Sequence, residues 1–159
     1  MGLMVRRDID ITVVCDRLDD AKLEAFANIG ACLMQKTENV LAVRFRNDTG
    51  HWNREREKYP DGLYLWVSVQ MRTAEWTLDI WLIDEPERQP DLAHLKTLLP
   101  RLSDMDRTAI LRIKHDLAAG NLSAIKIPSA LVYEAVMDYG IKTSEEFTEW
   151  HRDKQQSGS

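Results

Sequence analysis

The chain has 159 residues, 44% hydrophobic and 30% charged, with a formal net charge of −5 and a pI near 5.4. That length and composition suit one soluble domain with a real core, and the acidic balance argues against a nucleic-acid binder, which needs clustered positive charge. No stretch approaches the roughly 18 apolar residues of a membrane span and no signal peptide is visible, so a cytoplasmic location away from membranes is expected.

In chain order, residues 8–15 read as a strand, followed by a turn at Asp16-Arg17-Leu18-Asp19. A helix is expected from about Asp19 to Asn28, with Leu23, Phe26, Ala27 and Ile29 on one side and Gly30 as its stop. Ala31 to Gln35 reads as a weak strand. Val40 to Arg46 alternates, with Leu41, Val43 and Phe45 on one face and Val40, Ala42, Arg44 and Arg46 on the other. His51 to Asp61 is a polar loop or short helix carrying Trp52 and Tyr59. Leu63–Met71 and Glu75–Ile83 form the strongest hairpin candidate, joined by Arg72-Thr73-Ala74. Leu63, Leu65, Val67, Val69 and Met71 make its inward face, which leaves Trp66 and Trp81 on the polar side. Everything after Pro90 reads as helical. A near capping box at Ser103–Asp106 opens one helix, which Gly120-Asn121 ends. Pro128 to Tyr139 is another helix, with Gly140 after it, and a full capping box at Thr143–Glu146 starts a last one before a polar tail, Gln155 to Ser159. The expected fold class is therefore α/β: a mixed, mostly antiparallel sheet flanked by helices, residues 1–90, with a helical C-terminal segment, residues 91–159, packed on the same domain.

Two short stretches carry the chemistry. Residues two apart on a strand share a face. In Asp8-Ile9-Asp10-Ile11-Thr12-Val13, Asp8, Asp10 and Thr12 therefore lie opposite Ile9, Ile11 and Val13. In Glu75 to Leu82, Asp79 lies with Glu75, Thr77 and Trp81, opposite Trp76, Leu78, Ile80 and Leu82. If the two strands pair, three carboxylates converge on one side of a sheet whose reverse is core. Carboxylates so grouped repel one another, and such a group suits hard divalent cations.

This arrangement of hydrophobic-Asp-hydrophobic-Asp followed by a later hydrophobic-Asp-hydrophobic strand resembles the polymerase-beta-like nucleotidyltransferase superfamily. In particular it is similar to its small bacterial members, over residues 7 to 119. Arg7-Asp8-Ile9-Asp10-Ile11-Thr12-Val13 matches their Ser-Asp-Ile-Asp-Ile-Thr-Val type segment except for Arg7 in place of Ser. The Gly-Ser pair those proteins carry on a preceding helix is absent from the seven residues before Asp8. The resemblance implies transfer of a nucleoside monophosphate from a nucleoside triphosphate to a hydroxyl on an unknown small-molecule or protein acceptor. Asp8 and Asp10 would be shared magnesium ligands, and Asp79 a metal ligand and the catalytic carboxylate, at one or two Mg2+ ions. The missing Gly-Ser helix points instead to a catalytically inactive relative acting as a binding or regulatory module, or to a chain shortened at an internal Met. A shortened chain would expose one side of its first strand, which opens a route to oligomers.

Arg44 and Arg46, on the polar side of their strand, are the candidates to meet the nucleotide's phosphates, and Arg6 and Arg7 precede the acids. Trp52 and Tyr59 could stack on a base, or simply pack the loop. The four histidines, at 51, 94, 115 and 151, show no ligand spacing, and only His51 falls near the proposed site. Cys15 and Cys32 read as two buried thiols. No Gly-x-Ser-x-Gly motif or Gly-rich phosphate loop occurs, so nucleophilic catalysis finds no support.

Overall fold

The computed structural model describes residues 2–120 and 127–157 and has an α/β fold. The chain divides into two compact units: a sheet unit, Arg7–Ala93, and a helical unit, Met1–Arg6 with His94–Ser159.

The sheet unit holds four strands, β1 (Asp8–Val14), β2 (Val40–Asp48), β3 (Gly62–Met71) and β4 (Ala74–Ile83), in the order β1-β4-β3-β2. β2, β3 and β4 form an antiparallel meander, and β1 pairs with β4 in parallel. Parallel pairing needs a long crossover, and α1 (Asp20–Met34), between β1 and β2, begins it. The β3–β4 turn uses two residues, Arg72 and Thr73, because Met71 pairs with Ala74. Arg72 takes the positive φ (52°) that a tight hairpin asks of its first turn residue.

α1 runs one turn and more beyond the sequence expectation. Asp19 caps it, its side chain accepting from the Lys22 amide at 3.0 Å. Gly30 does not stop it but sits buried in its interior, and Ala31–Met34 is helix, not strand. The inward stripe is Phe26, Gly30 and Leu33, at helical spacing. Leu23 and Ile29, expected inward, are exposed. Gly30, a helix-stop residue by propensity, here serves packing: a Cβ on it would lie 3.6 Å from a Leu65 methyl.

The core of this unit gathers Phe26, Leu63, Leu65, Val67 and Leu82. Met71, expected among them, is exposed at the hairpin end. A bulge between Val40 and Ala42 corrects another expectation: Val40 pairs with Val69 and packs on the core, while Leu41 is 58% exposed. The core stops short of β1. Ile9, Ile11 and Val13, on the face opposite the acids, remain 39%, 37% and 44% exposed, since α1 packs on β2 and β3. Cys15 is half-buried, and Cys32 on α1 is exposed, contrary to the expectation of two buried thiols.

α2 (Pro90–Leu98) leads from the first unit into the second, which contains α3 (Asp104–Ala118), α4 (Ser129–Tyr139) and α5 (Ser144–Ser157). Both capping boxes form. Ser103 Oγ accepts from the Asp106 amide at 3.1 Å, and the Thr143 hydroxyl accepts from the Glu146 amide at 3.2 Å. Lys142 and Ser103 bonded to Asp106 hold its carboxyl below the ordinary range. Gly140, left-handed at φ 71°, ends α4 as its position suggested. α3 ends at Ala118, and Asn121 lies outside the described residues. The expected polar tail is helical as far as Ser157. Ile110, Ile113, Val132, Val136 and Phe147 fill this unit's core, with Leu3 of the N-terminal segment, whose carbonyl accepts from Lys114 Nζ at 2.8 Å. His94 meets the Tyr133 ring edge-on and His151 stacks on Phe147. Among the described residues no helix is long and apolar enough to cross a membrane.

Candidate functional site: one face of the sheet

Register decides which side chains meet. Across the sheet, Asp10 pairs with Asp79, Asp79 with Trp66, and Trp66 with Arg44. The next row toward the C-terminal end of β1 is Thr12, Trp81, Tyr64 and Arg46, and the row on the other side begins with Asp8, Thr77 and Ser68. All of these side chains share one face, because residues aligned in register and residues two apart project the same way. The expected union of Asp8, Asp10 and Asp79 on a single face is thus present. Asp10 and Asp79 stand on adjacent strands, about 4.8 Å apart in backbone, with Asp8 roughly 6.6 Å further along β1.

The carboxylate of Asp79 is not idle. Tyr64, the diagonal neighbour of Asp79 across the β3–β4 ladder, donates its hydroxyl to Asp79 Oδ1. Tyr64 is 6% exposed. Burial, together with the bond to Asp79 and that residue's charge, pushes the phenol up to about 12, against the opposing pull of Arg44.

Aromatic rings pave the space between acids and arginines. The Tyr64 and Trp81 rings lie 4.7 Å apart at a tilt of 38°. Arg46 sets its guanidinium over both, at 4.7 Å from the Tyr64 ring and 5.4 Å from the Trp81 ring, and bonds Asp48 through Nε at 2.7 Å. Arg44 lies over Trp66 at 5.3 Å. Both arginines are therefore on the acids' face, two strands away from Asp79, with their guanidinium groups over aromatic rings.

The β2–β3 loop closes the end of the sheet beside the Thr12–Arg46 row. Buried Asn53 anchors it, donating to the Pro60 carbonyl at 3.2 Å and to Asp61 Oδ1 at 3.0 Å. Asp61 Oδ2 accepts from the Gly50 amide at 2.8 Å, and Arg88 donates to the Arg56 and Tyr59 carbonyls. Burial would raise the Asp61 carboxyl, but the Gly50 and Asn53 bonds and the Arg56 and Arg88 charges outweigh it and hold it low. This loop carries Trp52, 60% exposed with its ring 4.5 Å from that of His51, and Tyr59. Arg6 and Arg7 are exposed, and the Arg7 carbonyl accepts from the Thr77 amide at 2.9 Å where β1 begins.

Carboxylate oxygens are the donors that magnesium prefers, and Asp8, Asp10 and Asp79 offer them on one surface, so the donor chemistry fits that ion. Among the described residues no three His, Cys, Asp or Glu side chains stand together as a formed cation cluster. Tyr64 is the member of this face that sequence reasoning missed. Alternation with Trp66 puts Tyr64 on the polar side, and the two-residue turn at Arg72-Thr73 supplies the register that sets it opposite Trp81 and beside Asp79. Comparison with protein-family models, curated proteins and solved structures finds no match to this chain.

Proposed function

We propose that the acidic face of the sheet is a nucleotidyltransferase-type site, which takes a nucleoside triphosphate with magnesium and passes its nucleoside monophosphate to a hydroxyl acceptor. The observation that carries this reading is the parallel pairing of Asp10 with Asp79, with Asp8 on the same face. Repulsion between carboxylates on adjacent strands costs stability unless positive charge is supplied. One or two magnesium ions, when bound, would neutralise the triphosphate and activate the attacking hydroxyl. Asp8 and Asp10 would hold that charge from β1. Asp79 would add a ligand from β4 and receive the acceptor's proton as the hydroxyl oxygen bonds to the α-phosphorus and pyrophosphate departs. Arg44, over Trp66, and Arg46, over Tyr64 and Trp81, would meet phosphate oxygens through their forked N–H donors. The acceptor is a small molecule or a protein rather than nucleic acid, in keeping with the net charge of −5. A cytoplasmic location, where nucleoside triphosphates and magnesium are supplied, goes with this reading.

A second reading, a non-catalytic relative that binds without turnover, draws on a specific observation. Asp79 and Arg46 already engage partners on the same chain, Tyr64 and Asp48.

Calorimetric titration of a non-hydrolysable ATP analogue with manganese tests the proposal. Binding that requires the metal and is lost in Asp8→Asn and Asp79→Asn is the expected result. The absence of binding to folded wild-type protein would overturn it. Metal-dependent binding with no pyrophosphate release from ATP across a panel of hydroxyl acceptors would favour the second reading.

A further inference from the structure

β1 ends the sheet on one side and β2 on the other, and the two edges differ in character. β2 carries devices that keep an edge from pairing: the bulge between Val40 and Ala42 and the charged side chains of Arg44, Arg46 and Asp48. β1 has no bulge, proline or lysine, and runs in unbroken register with β4 from Asp8 to Val14. The Arg7 carbonyl accepts from the Thr77 amide and the Cys15 amide donates to the Ile83 carbonyl, both at 2.9 Å. Odd-numbered residues of β1 therefore turn their main-chain groups to β4, and the even-numbered ones from Asp8 to Val14 turn theirs to the outer edge. Ile9, Ile11 and Val13 add an exposed apolar stripe to the same strand.

We propose that β1 is a self-association edge, which pairs antiparallel with β1 of a second copy about a two-fold axis through Ile11. In that register Asp8 stands opposite Val14 of the second copy, and Asp10 opposite Thr12. These are the pairs whose main-chain groups face one another and exchange N–H···O bonds, and no carboxylate stands directly opposite another. On the other face Ile11 meets Ile11 and Ile9 meets Val13, β-branched pairs that favour the joined strands. Two residues beyond the strand, exposed Arg6 of each copy comes level with exposed Asp16 of the other, so opposite charges meet at both ends. Asp16 also meets Lys22 of its own chain, at 3.2 Å. The neighbouring registers lose this match. Centring on Asp10 sets two Asp10 carboxylates against each other, and centring on Thr12 carries Asp8 and Ile9 past the partner strand. The interface is isologous and closes at two chains, because each copy has one such edge.

Sedimentation of the full chain over a dilution series, with circular dichroism to verify folding, reads the pairing as mass. Wild type should reach twice its chain mass of 18.4 kDa. Ile11 is the residue that meets itself, so Ile11→Lys and Ile11→Glu each set like charges at the axis and should each halve that mass. Mixed in equal amounts, the two variants should regain the doubled mass, since lysine then faces glutamate. Thr12→Pro removes an outward N–H and leaves the β4 ladder intact, so it should also halve the mass, and it decides the matter should the Ile11 variants fail to fold. Phe45→Lys puts a charge at an exposed apolar position of β2 and should leave the doubled mass unchanged. A single-chain mass for folded wild type overturns the proposal. So does a doubled mass that survives the β1 variants, a loss that the mixture fails to restore, or a loss confined to Phe45→Lys.

Discussion

Tyr64 and Asp79 are joined side chain to side chain across β3 and β4, the phenol donating to a carboxylate that stands in the same row as Asp10. The pair sits where the sheet's charge changes character, with acids toward β1 and guanidinium-capped rings toward β2. Charge-assisted bonds of this kind are stronger than neutral ones, and a partly desolvated setting strengthens them further.

One consequence is a late-titrating phenol. With the folded value raised to about 12 from the ordinary 10, the stabilisation from protonated Tyr64 is fully present below pH ~10 and is lost as pH climbs through ~12. Absorbance titration of the protein should show a late phenol step near pH 12. Tyr64→Phe should delete that late step, and Asp79→Asn should move it to lower pH. A Tyr64→Phe titration with the late step intact would assign it elsewhere.

Gly30 provides a test of how closely α1 lies on β3. A Cβ built there would rest at 3.6 and 3.7 Å from the Leu65 methyls, which is ordinary contact. Alanine therefore fits and brings better helix propensity, so Gly30→Ala should raise stability by about 0.5–1 kcal/mol in urea unfolding. Gly30→Leu drives side-chain volume into Leu65 and should cost about 1–3 kcal/mol. A destabilised alanine variant would mean that the helix sits closer than described.

The β2–β3 loop depends on Asn53. Asn53→Ala abandons the Pro60 carbonyl and Asp61 in a buried setting and should cost about 1–3 kcal/mol. Hydrogen exchange at the Gly50 and Glu55 amides, now bonded to Asp61 and Asn53, should accelerate with it. Because the Asp61 carboxyl is held below its ordinary 3.8, its contribution is present above that pH and is lost as pH falls through the depressed folded value. The loop should loosen in acid before the core strands do, and Asp61→Asn should abolish that pH dependence.

The two cysteines should separate cleanly in alkylation. Cys15 donates its thiol to the Ile83 carbonyl at 3.4 Å, and burial pushes that thiol up, which lowers the reactive thiolate fraction. Cys32 is exposed on α1. Mass mapping under limiting iodoacetamide should find Cys32 modified first, with Cys15 slower by about tenfold or more. Equal rates would contradict the described environment of Cys15.

Much of this protein is local and can be read from its sequence. Strict alternation placed Asp8 and Asp10 on one side of β1 and Asp79 with Trp81 on one side of β4, since a pleated strand admits only two faces. Capping chemistry set the starts of α3 and α5, and a glycine able to turn left-handed set the end of α4. What the tertiary structure alone decided is which residues face one another. The two-residue turn at Arg72-Thr73, the bulge between Val40 and Ala42 and the parallel joining of β1 to β4 fix registers that alternation leaves open. Those registers put Tyr64 on Asp79, Trp66 between Asp79 and Arg44, and Val40 on the core side. The long α1 was hidden for a related reason. Gly30 is a stop signal by propensity and a contact point by packing, and only the approach of Leu65 determines which one prevails.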